Sequence, residues 1–378
     1  MVLFSSLFIS LAAYAVCPSN VVYPTYEWSE NIESVSQSKA TEIAALEKYM
    51  FTLEGKDTKR IGIRTDGMVI VQHGEIIYEN YGRGFTEENP HLMWSVAKSV
   101  NSALVGRAVQ EGYMTIDDGI CEHYADVDSG NCDIQVVDLL RFSSGLDFNE
   151  TYEGEKNQAS SVLAMLYGEG SEDMARFVGY HESAYPPGEK VAYSTGDATL
   201  LAKVLYGAAY EVGEYYPWDL LFDPLGMTSA VFERDNAGTY VAGSYVYFNP
   251  RDAAKFGYFY LNNGCWDDVQ LLPSYWVYNS TNPSQPIIFG GLIGPKSDVS
   301  GWSWWTNKDI DEHGYKKWLP DAPEDTFTST GHWGQYIIVI PSWDLVIVRT
   351  GDDRDGSLDV NEFVKSAMEV ATQPDGGE

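Results

Sequence analysis

Apolar and polar positions change their period several times along the chain. From Thr41 to Phe51 the apolar residues Ile43, Leu46, Tyr49 and Met50 recur at helical spacing, which predicts an amphipathic helix. The pattern then switches. Gly67 to Gln72 and Glu75 to Tyr81 alternate or run apolar, and the His73-Gly74 dipeptide between them predicts a tight β-hairpin. Residues 95 to 111 return to the helical repeat, with Val96, Val100, Leu104 and Ala108 on one stripe and Gly112 as the C-cap. Helical signals dominate from there to residue 280, broken by loops such as Tyr185-Pro186-Pro187-Gly188 and Asp223-Pro224-Leu225-Gly226. Strand-like runs come back at Trp302 to Thr306, Tyr336 to Ile340 and Leu345 to Arg349, and an amphipathic helix over Val360 to Ala371 follows.

Strands at both ends with helices between them predict an α+β fold. The terminal strands are expected to share one antiparallel sheet flanked by helices, with a mostly helical lobe inserted. The expected boundaries are a sheet lobe over residues 45–90 and 300–372 and a helical lobe over residues 91–299, within one domain of residues 45–372. Residues 17–44 read as an N-terminal extension and residues 373–378 as a disordered tail.

Composition narrows the function classes. Against 55 Asp and Glu stand only 24 Lys and Arg, a net charge of −31, and no stretch gathers enough basic residues to make a positive face. Nucleic acid and anionic membrane surfaces are therefore poor partners, and the apolar run Val2 to Val16 is too short for stable membrane insertion. Val2 to Val16 is apolar apart from serines, ends in Ala13-Tyr14-Ala15, and precedes the first charged side chain, Glu27. This predicts a signal peptide over residues 1–16 and a secreted or periplasmic protein. The four cysteines lack the C-x-x-C spacing of a zinc or redox site, and no H-E-x-x-H, P-loop or G-x-G-x-x-G pattern occurs, so no metal or organic cofactor is expected. Cys121 and Cys132 flank a short polar loop and suit one disulfide in an exported protein.

Ser95-Val96-Ala97-Lys98 opens the helix expected at 95 to 111, so the serine hydroxyl and the lysine amine fall on one face, one turn apart. A serine needs a base to become a nucleophile, and a helix N-terminus offers its N–H to a developing oxyanion. By itself this tetrad also reads as a capping serine and a solvated lysine. Its context is Tyr193-Ser194-Thr195, and then Gly331-His332-Trp333-Gly334-Gln335 before the strand at 336 to 340.

In order and spacing these three elements resemble the S-x-x-K, Y-x-N and K-T-G (or H-x-G) motifs of the penicillin-recognising serine hydrolases. That superfamily includes penicillin-binding proteins, class C-type β-lactamases, related esterases and the 6-aminohexanoate-dimer hydrolases. Gly112 to Asp118, Leu139 to Leu146, Pro224 to Met227, Gly243 to Tyr247 and Leu345 to Arg349 extend the likeness. The Tyr-Ser-Thr-Gly-Asp197 and Gly-His-Trp-Gly-Gln-Tyr336 wording is most similar to the 6-aminohexanoate-dimer hydrolase branch.

The resemblance implies a β-lactamase/transpeptidase-like fold and a serine hydrolase working through an acyl-enzyme on Ser95. Lys98 is implied within hydrogen-bond reach of Ser95 and Tyr193, with either Lys98 or Tyr193 as the base. The implied oxyanion donors are the backbone N–H groups of Ser95 and Gln335, and Thr195, His332, Trp333 and Gly334 are implied to meet the substrate. Thr195 stands where asparagine is usual and His332 where the lysine of K-T-G is usual. A fixed positive charge is thereby lost, which favours small ester or linear amide substrates over β-lactams. The alternatives are a β-lactamase or D,D-peptidase acting on cell-wall-like substrates, and a non-catalytic binding member of the family.

Two weaker signals remain. Gly351 to Glu362 has the acidic spacing of a calcium loop but begins with glycine in place of aspartate, so a plain strand-to-helix connection is expected. Trp302, Trp304, Trp305, Trp318 and Trp333 form either an aromatic wall for an acyl group or ordinary core, with Trp333 expected nearest the substrate.

Overall fold

The computed structural model describes residues 17–19, 21–152 and 160–374. The expected signal peptide and the last four residues of the expected tail lie outside them.

Seven strands form the main sheet: β1 (Ser29–Glu30), β2 (Thr65–Gln72), β3 (Glu75–Tyr81), β4 (Trp305–Thr306), β5 (Phe327–Gly331), β6 (Gln335–Ile340) and β7 (Leu345–Gly351). Their order is β1-β3-β2-β7-β6-β5-β4, so strands from the two ends of the chain pair directly at β2 and β7. The expectation of a purely antiparallel sheet is corrected at one edge, because the short β1 runs parallel to β3 and makes the sheet mixed. The expected strand at Trp302 to Thr306 shrinks to two residues, since Trp302 and Trp304 are buried in the core and Ser303 has a positive φ of 62°.

The near-continuous apolar runs of β2, β6 and β7 are explained by burial on both faces. Side chains alternate along a strand, so Met68, Ile70, Ile338, Ile340 and Ile347 point one way and Val69, Val71, Ile337, Val339, Val346 and Val348 the other. The first set packs on helices α1 (Ala40–Met50) and α5 (Val360–Val370) through Leu46, Met50, Phe363 and Ala367. The second set joins the larger core, with α2 (Val96–Gln110), α3 (Thr195–Ala208) and α4 (Pro250–Leu261). Each such aliphatic side chain, fully withdrawn from water, contributes roughly 1.5–3 kcal/mol before entropy is counted.

Two disulfides close the chain, Cys121–Cys132 and Cys17–Cys265. The second ties the N-terminal extension to the segment just after α4. The calcium-like loop after β7 uses its carboxylates internally. Asp353 pairs with Arg349 at 2.7 Å, Asp352 with Arg64 at 3.2 Å, and Asp355 accepts the Gly62 N–H at 2.8 Å.

Candidate active site

Ser95 caps the N-terminus of α2, and the turn before it is tight: Trp94 has φ +49°, an unusual conformation for a bulky residue. One turn along, Lys98 is buried, and all three of its bonds are made inside the protein. Its Nζ donates to Ser95 Oγ at 3.1 Å, Thr195 Oγ1 at 2.9 Å and the Gly243 carbonyl at 2.7 Å. Gly243 has to be glycine for this approach, because a Cβ there would stand 2.3 Å from Thr195 Cγ2.

Burial takes the Lys98 amine down to about 8, because the charged form loses its water; the carboxylate of Glu150 acts in the opposite direction. Tyr193 precedes α3 and lies between Phe142 and Trp305, the latter stacked at 5.3 Å. Lys98 meets the face of its ring at 4.7 Å, and none of the three Lys98 bonds goes to the phenol oxygen, which corrects the expected hydrogen bond. Burial, then the Glu150 charge, push the Tyr193 phenol well above its ordinary value, with the Ser95 hydroxyl opposing.

Thr195 is the first residue of α3, and Ser194 caps that helix by accepting the Asp197 N–H at 2.9 Å. Thr195 also donates twice to Glu150, from its backbone N–H at 2.8 Å and from its hydroxyl. Burial raises the Glu150 carboxyl, with Lys98 and both Thr195 bonds opposing. Tyr152 places its hydroxyl 3.4 Å from Thr195 Oγ1 and stacks on His332 at 5.5 Å. Behind this group, burial takes Asp197 up to about 7, although its carboxylate accepts the Ser144 hydroxyl at 2.8 Å.

The opposite wall is β5. A Cβ on Gly331 would stand 2.1 Å from the Met93 carbonyl, so glycine lets this strand end close against the turn that carries Ser95. Here the expected triplet is corrected. His332, Trp333 and Gly334 are the turn between β5 and β6, with φ +61° at Trp333 and +94° at Gly334, a conformation no strand residue uses. The triplet on the strand itself is Ser329-Thr330-Gly331, and Ser329 is buried with its hydroxyl 2.7 Å from that of Ser99.

Of the expected substrate contacts, His332 reaches the cavity, while Trp333 and Gly334 turn away. Trp333 packs edge-on against Trp94 and lies under the Arg354 guanidinium, and Gly334 passes its carbonyl to Arg349 at 2.9 Å. Gln335, expected to offer its backbone N–H to the oxyanion, is also withdrawn, paired with Gly331. It begins β6, is fully buried, and its amide bonds the carbonyls of His332 at 3.1 Å and Gly351 at 2.7 Å.

A cavity of about 460 Å³ opens over Ser95. Ser95, Tyr193, Thr330, Gly331 and His332 line it, with Trp94, Tyr152, Trp305, Trp318 and Tyr336 as aromatic walls. The tryptophan cluster therefore divides: Trp305 and Trp318 face the cavity, and Trp302 and Trp304 are core. The sequence reading missed Glu150, Tyr152 and Asp298, which also reach the cavity. Gly243 lies in a segment the resemblance covers, so that signal was available; Glu150 is one of 55 acidic residues with no motif around it.

The β-lactamase family model matches residues 50–357, and the chain belongs to that family. Over 296 residues it is 22% identical to the 6-aminohexanoate-dimer hydrolase of Paenarthrobacter ureafaciens, covering 71% of this chain and 73% of that protein. Among solved structures it is similar to a family VIII carboxylesterase, with a TM-score of 0.61 and 13% identity over 90% of this chain and 97% of that one. A β-lactamase from Mycobacterium bovis gives a TM-score of 0.59 at 16% identity, over 87% and 98% of the two chains. The fold is thus β-lactamase/transpeptidase-like, and these relatives are hydrolases. Among the described residues no helix is long and apolar enough to cross a membrane.

Proposed function

We propose that this protein is a serine hydrolase that cleaves esters or linear amides of small molecules through an acyl-enzyme on Ser95. The observation that carries the reading is the Lys98 amine, buried, lowered to about 8 and 3.1 Å from the Ser95 hydroxyl. Neutral Lys98 takes the Ser95 proton as the hydroxyl oxygen attacks the acyl carbon. The oxyanion is received by the backbone N–H groups of Ser95 and of His332, the residue after Gly331 at the strand end, at about 3 kcal/mol per donor.

Tyr193, held neutral by its surroundings, donates its proton to the departing alcohol or amine. The phenolate so formed takes a proton from the water that attacks the acyl-enzyme, and the released Ser95 oxygen recovers its proton from Lys98. Protons then balance over the cycle. Tyr152, His332 and the aromatic walls are assigned to substrate binding, whereas Thr195 is fully buried and bonds Lys98 and Glu150.

The strand triplet Ser329-Thr330-Gly331 carries no charge, which supports esters and amides over carboxylate-bearing β-lactams. Two of the relatives, a 6-aminohexanoate-dimer hydrolase and a family VIII carboxylesterase, support the reading by their names, while a third is a β-lactamase. The two disulfides support an oxidising compartment and hence export. Turnover of p-nitrophenyl butyrate beside nitrocefin tests the reading. Ester hydrolysis without nitrocefin hydrolysis is expected, and the reverse result would overturn it.

A further inference from the structure

The proton transfers above leave one group in the site unused. Glu150 comes from neither element that carries Ser95, Lys98 or Tyr193; the loop after Phe148 brings it in, and its two oxygens take separate partners on Thr195. The second of these bonds fixes a direction. A hydroxyl has a single proton, so once Thr195 gives it to Glu150, Thr195 Oγ1 can only accept, and what it accepts is the Lys98 N–H at 2.9 Å. The Gly243 carbonyl, also an acceptor only, holds a second N–H at 2.7 Å. The remaining position on the amine, a third proton or the lone pair, then faces Ser95 Oγ at 3.1 Å.

Other charged and titratable groups surround this chain of bonds. Tyr193 covers Lys98 with its ring, Tyr152 approaches Thr195, His332 stacks on Tyr152, Asp197 stands on the first turn of α3, and Asp298 lines the cavity. Glu150 is the one whose charge acts on Lys98 against the effect of burial.

We propose that Glu150 is a positioning residue for acyl transfer: through the Thr195 hydroxyl it orients the Lys98 amine toward Ser95, and it holds a negative charge beside that amine. The inference rests on the reading of Lys98 as the base.

The test is the pH profile of kcat/KM on p-nitrophenyl butyrate for the wild type, Glu150→Gln, Glu150→Asp and Thr195→Val, each first shown to melt cooperatively. Loss of the anion in Glu150→Gln moves the acidic limb down by about one pH unit. Glu150→Asp restores the charge and returns the limb toward its wild-type place. Thr195→Val keeps the charge, so its limb stays while its plateau falls about tenfold, short of the roughly 10²–10⁴ that losing the base itself costs.

Imidazoles change charge near neutral pH, and so does Asp197 here, so the Glu150→Gln shift must persist in His332→Asn and Asp197→Asn backgrounds. A limb unmoved by Glu150→Gln, or moved equally by Thr195→Val, would overturn the proposal. Ser95→Ala separates the two levels. Full turnover in that variant removes the acyl-enzyme reading and this inference with it. Loss of turnover there, beside an unmoved Glu150→Gln limb, removes this inference alone.

Discussion

Lys98 Nζ donates to the Gly243 carbonyl at 2.7 Å, the shortest of its three bonds. A carbonyl cannot return a proton, so this bond anchors the amine in either charge state while the bond to Ser95 is free to reverse its direction. The amine is therefore held in place by the backbone and does its chemistry at the hydroxyl.

Activity should follow the charge of that amine. With Lys98 lowered to about 8, only its neutral form accepts the Ser95 proton, so kcat/KM is expected to rise with pH through that value and level off above it. Lys98→Met should abolish the limb and lower kcat by about 10²–10⁴, the usual range for a lost general base. A pH–rate series on a neutral ester checks both.

Asp197 should make stability fall as pH rises. Its folded carboxyl lies near 7 against 3.8 in the unfolded chain, so between those values the native state binds more protons. Stability is then lost across that whole interval, most steeply near its middle, and the loss levels off above the folded value. Asp197→Asn removes this dependence. Melting temperatures taken from pH 4 to 8 should decline more for the wild type than for the variant.

The two disulfides should contribute unequally. Cys17–Cys265 spans 248 residues and Cys121–Cys132 only 11, which by loop-closure entropy gives about 5 and about 3 kcal/mol respectively. Urea denaturation of Cys265→Ser and Cys132→Ser variants measures the order, and a larger loss in the second would contradict it.

Substrate charge should matter at the cavity. Among the described lining residues Glu150 and Asp298 are acidic and none is Lys or Arg. A p-nitrophenyl half-ester carrying a free carboxylate should react about tenfold less efficiently than its neutral counterpart, and salt should narrow the gap. Asp298→Asn should narrow it too. Steady-state kcat/KM for the two esters gives the comparison.

Much of this site was legible because its parts sit on strongly periodic elements. The stripe from Val96 to Ala108 located α2, and with it the relation of Ser95 to Lys98. What failed was the wall opposite. Phe327-Thr328-Ser329-Thr330-Gly331 has no apolar repeat, because Thr328 and Ser329 are buried polar residues in a strand whose pairing is specified from both sides by β4 and β6. Without that strand in view, Gly331 to Gln335 read as one motif, and the turn it makes went unseen. Glu150 and Tyr152 lie in a loop with no period, brought to Thr195 by tertiary packing alone. Cys17 gave no hint of Cys265 because pairing across such a separation follows from the fold, not from spacing.

The most direct measurement is a fluorophosphonate reaction with the intact protein, with the adduct mapped by mass spectrometry and ester turnover followed in parallel. One adduct is expected, on Ser95, with activity lost in proportion to labelling. Labelling at another residue, or full activity in a protein labelled at Ser95, would contradict it.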